Sequence, residues 1–230
     1  MRFNLKFGRK LGKTALFFLL EFNIKHKMPK SLAILLFNEV EVLDFAGPYE
    51  VFSTAGYQMM DELPFRVFTV AQQSPVVARN GLTIVPDYTL ENCPETDIFL
   101  VPGGGSYGAD GTPFGSRREM HNPLLIKWIQ ERAATAELVL SVCTGALILA
   151  KAGLLDGLKA TTHYRALESL REIAPNTEVL DNVRYVDNGK VILSAGVSAG
   201  IDMSFYVVAQ LLGSEVAAQG ARYAQYDYWQ

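Results

Sequence analysis

The residues best suited to chemistry centre on Cys143, in the segment Leu138-Val-Leu-Ser-Val-Cys-Thr-Gly-Ala-Leu-Ile-Leu-Ala150. A strand-length apolar run ends at Val142, and a helical pattern starts at once. Gly145 and Ala146 are small enough to let that helix pack close to the strand. The pattern is a nucleophile elbow in cysteine form, Ser-x-Cys-x-Gly. A sharp strand-to-helix turn exposes the sulfur above the carboxyl edge of the sheet, where open α/β sheets bind ligands. It also sets the thiol at a helix N-terminus, whose dipole and free N–H groups favour thiolate. A small buried cysteine, packed at the turn for space alone, fits the same residues. Cys93, in Glu91-Asn-Cys-Pro94, falls in a predicted loop and is expected to have no chemical role.

Three further groups bear on this thiol. Residues 98–101 form an apolar run followed by Gly103, Gly104 and Gly105. Backbone N–H groups of such a run can approach a ligand and build an oxyanion hole. A plain flexible loop has the same composition. The run lacks the G-x-G-x-x-G spacing of a dinucleotide site. Asp44, in Leu43-Asp-Phe-Ala-Gly-Pro48, follows another apolar run and precedes a helical pattern. It reads either as an N-cap or as a carboxyl beside the thiol, with Pro48 fixing the turn. Of the three histidines, His26, His121 and His163, only His163 follows a predicted strand end near the pocket. It is a structural hydrogen-bonder or a pocket residue.

These groups need a scaffold that brings strand ends together. Residues 31–37, 65–71, 98–101 and 138–142 are apolar runs of strand length, as expected of parallel strands buried on both faces. Helical patterns cover 48–55, 124–134, 144–152, 164–172 and 199–212. Their alternation predicts βαβ units and a single α/β domain. That domain is a three-layer αβα sandwich around a mainly parallel sheet. Two hairpins are expected besides. One pairs 76–79 with 83–86 across a type I′ turn at Asn80-Gly81, and one pairs 183–186 with 191–194.

The 230 residues carry a net charge of −3, unevenly spread. Residues 1–30 hold eight Lys/Arg and one acid, so a basic extension (1–29) precedes an acidic domain (30–222) and a short tail (223–230). The apolar stretch 15–20 is shorter than the h-region of a signal peptide, and Met28 is an alternative start. The overall balance argues against a broad nucleic-acid surface. No run reaches the length of a membrane span. Two cysteines make no disulfide framework and suggest a reducing, cytoplasmic setting. No His/Cys cluster has metal spacing.

Taken together, Leu43-Asp-Phe-Ala-Gly-Pro48, Val101-Pro-Gly-Gly-Gly105, Ser141-Val-Cys-Thr-Gly-Ala146, Ala160-Thr-Thr-His-Tyr164 and Ser194-Ala-Gly-Val-Ser-Ala-Gly-Ile-Asp202 resemble the ThiJ/PfpI superfamily, over nearly all of 30–222. The resemblance implies a flavodoxin-like, glutamine-amidotransferase-like fold. Thr144 and the segment around Asp44 look like the branch that holds isonitrile hydratases and the sensor domains of AraC-type regulators. The superfamily's peptidases place histidine where Thr144 stands. Its amidotransferases need a late His-x-Glu, where this chain has Ser194-Ala-Gly-Val. A Cys-His-Glu triad is therefore not supported.

What the resemblance implies is hydration of an isonitrile to an N-substituted formamide, with a small molecule as substrate and no cofactor or metal. Cys143 would attack the isonitrile carbon and form a thioimidate. Asp44 would move protons, and Thr144, Gly104 and Gly105 would steady the intermediate, with His163 nearby. Two anions so close would repel, so Cys143 and Asp44 are expected to share one proton. The resemblance also implies a homodimer. Two rival readings are a non-catalytic ligand sensor and a glyoxalase- or deglycase-like stress protein. The sensor reading calls for a DNA-binding region, and only 214–230 follow the last predicted helix.

Overall fold

A computed structural model of the chain describes residues 29–227. The basic extension lies outside the described residues, apart from its last position. In chain order the elements open with β1 (Lys30–Leu36), α1 (Val42–Thr54), β2 (Phe65–Ala71), β3 (Val76–Val77), β4 (Thr83–Ile84) and β5 (Tyr88–Thr89). Next come β6 (Ile98–Val101), α2 (Ser116–Glu119), α3 (Pro123–Thr135), β7 (Leu138–Val142), α4 (Gly145–Lys151) and β8 (Lys159–Ala160). The chain closes with α5 (Leu167–Ile173), β9 (Glu178–Val179), β10 (Tyr185–Asp187), β11 (Val191–Ser194), α6 (Ala199–Leu212) and α7 (Ser214–Tyr223).

Seven strands form one sheet in the order β10-β11-β7-β6-β1-β2-β5. Every pairing is parallel except β10 with β11. The central strands are apolar at nearly every position because both faces are covered. Helices α1, α6 and α7 pack together on one face, and α2, α3 and α5 surround α4 on the other. The result is the expected three-layer, flavodoxin-like sandwich, with Phe52, Phe99, Phe205, Ile34 and Leu140 at its dry centre.

The register decides where chemistry can occur. Leu100 of β6 lies opposite Ile34 of β1 on one side and Leu140 of β7 on the other. The carboxyl ends of these three adjacent strands therefore lead to Asp44, the three glycines and Cys143 along one edge.

Several local expectations change. The first helix starts at Val42, not at residue 48, so Pro48 lies inside it and fixes no turn. Pro48 has no N–H, so the carbonyl of Asp44 four residues back loses its helical donor. The hairpin at Asn80-Gly81 is present but shorter than expected. It pairs Val76 with Ile84 and Val77 with Thr83, across a 3₁₀ turn at Arg79–Gly81. Asn80 and Gly81 both take the positive φ that the dipeptide forecasts, at 61° and 90°. The stretch 164–172 begins as a 3₁₀ turn, Tyr164–Ala166, before α5. Helix α7 and the short strands β5, β8 and β9 had no clear sequence signal. Beyond α7, Tyr226 stacks on Phe205 and donates to Asp202 Oδ1 at 2.7 Å, which fastens the tail to the domain.

Candidate active site

Strand β7 ends in a turn that only a specific backbone can make. Cys143 has φ of 57°, the left-handed region that non-glycine residues rarely enter. The turn is held from several sides. The Cys143 N–H donates to the carbonyls of Ser194 (3.2 Å) and Ala195 (2.9 Å). The Thr162 hydroxyl donates to the Cys143 carbonyl at 2.7 Å. A Cβ on Gly145 would sit 2.0 Å from the Val101 carbonyl oxygen, so glycine is required for α4 to meet β6. The sharp strand-to-helix elbow read from the sequence is therefore present, and the surroundings over-determine its strained backbone.

Asp44 reaches the same point from the first turn of α1. It does not cap its helix, because Glu41 holds the N-cap position without a side-chain bond. Its carboxyl is fully buried, and Oδ2 accepts the Gly103 N–H at 3.0 Å. The carboxyl lies close enough to the Cys143 thiol for each group to shift the ionisation of the other. Oδ1 is buried and has no nitrogen or oxygen partner among the described residues. Burial is the main force that raises the Asp44 pKa to about 7, while the Gly103 N–H acts against it.

The thiol responds to the same burial. Cys143 is 5% exposed, and desolvation, with the neighbouring Asp44 charge, pushes its pKa up to about 12. N–H groups of Thr144 and Val197 point at the sulfur and act in the opposite direction. The expectation of a thiolate favoured by the helix N-terminus is thus outweighed, because burial costs the anion more than two N–H groups return. Below neutral pH both groups are protonated. Near neutrality one proton leaves, and the pair shares the other.

The glycine run works differently from a free oxyanion hole. Gly103 supports Asp44, as above. The Gly104 N–H donates to Thr144 Oγ1 at 3.0 Å. The Ser116 hydroxyl lies 2.7 Å from the Gly104 carbonyl and 2.8 Å from Thr144 Oγ1. The Thr144 side chain is therefore tied to the glycine loop, and its backbone N–H is the part that faces the sulfur. Gly104 and Gly105 take φ of 118° and 84°. At Gly105 a Cβ would meet the Phe114 carbonyl at 2.1 Å, so the loop folds back on itself there.

His163 stands at the rim. Its Nδ1 accepts the Arg165 N–H at 3.3 Å, and its ring lies on Tyr164. Desolvation and the charges of Arg165 and Arg117 lower its pKa, so it is neutral near pH 7. It lines a cavity of about 330 Å³ with Thr162, Leu167, Val183 and Val197. His121 lies far along the chain before α3, and His26 is outside the described residues. Cys93 is buried, donates to the Pro94 carbonyl at 3.4 Å, and has its pKa raised by burial.

Three participants escaped the sequence reading. Ser116 completes the Thr144 network. Val197, with φ of 46°, turns its N–H towards the sulfur, a conformation that is a genuine outlier for a β-branched residue. Arg117 stands close enough to Cys143 for the two charges to be coupled. None of the three carries a local signal, since each owes its role to backbone geometry or to a fold-back.

Comparison with known proteins agrees with this architecture. Residues 30–210 match the DJ-1/PfpI family. An isonitrile hydratase of Pseudomonas putida is 35% identical over 192 residues, which cover 83% of this chain and 75% of that protein. The HTH-type transcriptional regulator CdhR of Pseudomonas aeruginosa is 30% identical over 192 residues, covering 84% of this chain. The match spans only 54% of that regulator's length. Among solved structures, a ThiJ/PfpI family protein from Pseudomonas syringae superposes with a TM-score of 0.75 at 30% identity. That superposition covers 87% of this chain and 76% of the other.

Proposed function

The chain belongs to the DJ-1/PfpI family, and from that premise we propose that it is a cysteine-dependent hydratase acting on isonitriles. The observation that carries this reading is the pairing of a strained Cys143 with a buried carboxyl whose pKa lies near 7. The likeness to the P. putida isonitrile hydratase supplies the substrate class.

The chemistry follows from the pair. A neutral thiol beside a carboxylate is a poor nucleophile until its proton moves. Asp44 accepts that proton as sulfur adds to the terminal isonitrile carbon, then delivers it to the same carbon. The product of this step is a thioimidate, Cys–S–CH=N–R. Asp44, again a carboxylate, then takes a proton from water as its oxygen adds to that carbon. The proton passes to nitrogen. Collapse breaks the C–S bond, releases the N-substituted formamide and passes the remaining hydroxyl proton of the adduct, by way of Asp44, to sulfur. The N–H groups of Thr144 and Val197 stabilise negative charge as it develops at and near sulfur.

The test is to supply a panel of isonitriles, methylglyoxal and peptides to wild type, Cys143→Ala and Asp44→Asn. The reading predicts formamide from isonitriles with wild type only. Turnover of methylglyoxal instead would move the protein to the carbonyl-stress class. A sensor role has the likeness to CdhR in its favour. It predicts saturable binding of a small molecule without turnover.

A further inference from the structure

Arg117, a cation close enough to the Cys143 thiol to sense it, has no carboxylate partner among the described residues. Its neighbour Arg118 pairs with Glu39 and Glu119. Glu41, whose charge acts on Asp44, pairs with Arg79 at 3.6 Å. Arg117 makes no ion pair among the described residues, and its single hydrogen bond is a long one from Nη1 to Ser116 Oγ, at 3.3 Å. Ser116 Oγ in turn lies 2.8 Å from Thr144 Oγ1, next to Cys143 in the chain. The guanidinium is partly buried, and desolvation lowers its pKa. The Cys143 thiol that it senses is not an anion near pH 7. Partial burial of a cation without a counterion is costly, and a ligand that brings the counterion removes that cost.

We propose that Arg117 is a substrate-binding residue that takes a carboxylate, so that the substrate consumed at Cys143 is a small molecule bearing an anionic group. The proposal deepens the hydratase reading and rests on it for the reacting group, but the anion site stands on the thiol alone. Its planar fork of donors suits a carboxylate held by two parallel hydrogen bonds. His163 is neutral near pH 7 and adds no charge of its own beside Arg117.

The experiment compares alkylation of Cys143 by iodoacetate, an anion, with alkylation by iodoacetamide, its neutral analogue, at low ionic strength. Any effect of Arg117 on the reactivity of the sulfur changes both rates together, so their ratio reports recognition of the anion. Arg117→Gln is expected to lower the iodoacetate-to-iodoacetamide ratio about tenfold. Arg117→Lys is expected to restore part of it, and added salt to lower it in wild type only. A ratio unchanged by Arg117→Gln, in a variant whose melting curve matches wild type, overturns the proposal. A second arm measures turnover of isocyanoacetate and of a neutral alkyl isonitrile. KM for the first is expected to rise in Arg117→Gln and KM for the second to stay level. If no isonitrile is consumed by wild type while the alkylation ratio still falls, the hydratase reading fails and the anion site survives.

Discussion

At the scale of single residues, the site is built to hold one proton between two groups that both resist ionisation. Asp44 illustrates what this does to stability. Its folded-state pKa of about 7 lies above the ordinary 3.8, so its favourable contribution is complete below the unfolded value and is lost as pH rises through 7. Asparagine keeps the shape and an acceptor for the Gly103 N–H and never ionises. Asp44→Asn is therefore expected to melt higher than wild type above pH 7 and level with it near pH 4, in thermal melts across pH. The same change removes the transferable proton. Turnover should fall by about 10²–10⁴-fold, the range for general acid–base assistance. A variant more stable and less active is the signature of a group kept for chemistry. Asp44 was visible in the sequence as a carboxyl between apolar residues, although its distance from any cap was not. Val197 was invisible, because nothing in a valine announces a positive φ.

At the scale of elements, the site depends on how closely α4 and the glycine loop approach neighbouring backbone. Gly145→Ala places a methyl against the Val101 carbonyl, with backbone on both sides and no flexible side chain to yield. A loss of about 1–3 kcal/mol in urea unfolding is expected, the cost of overpacking, together with slower alkylation of Cys143 as the elbow shifts. An unchanged midpoint would show that α4 tolerates displacement. Elements with long apolar runs, β1, β2, β6 and β7, were legible in the sequence, as was α6, whose bounds match the pattern. Short strands such as β8 and β9 were not, since two residues carry no periodicity. The start of α1 was misread because Pro48 looks like a helix opening, whereas in the fold the helix that contains it packs against α6, β1 and β2. Gly47 makes that packing possible, for a Cβ there would lie 2.8 Å from Ile201 Cγ1.

At the scale of the whole molecule, one parallel sheet brings three separate sequence segments to one edge, which is why motifs weak alone were informative together. The charge split adds a prediction about the chain. Residues 1–28 differ in composition from the acidic remainder, and β1 begins at Lys30. A protein lacking them is expected to keep its melting temperature and the alkylation rate of Cys143, as differential scanning calorimetry and peptide mapping would show. A large drop in melting temperature would mean that the segment docks on the domain. The central claim is that Asp44 serves as the base for Cys143 in the folded protein. It is tested most directly by the pH dependence of iodoacetamide labelling at Cys143, read by peptide mapping in wild type and Asp44→Asn. The account predicts a rate that rises through about pH 7 in wild type, as the pair loses its first proton, and a variant that lacks this rise. Identical profiles in the two proteins would contradict it.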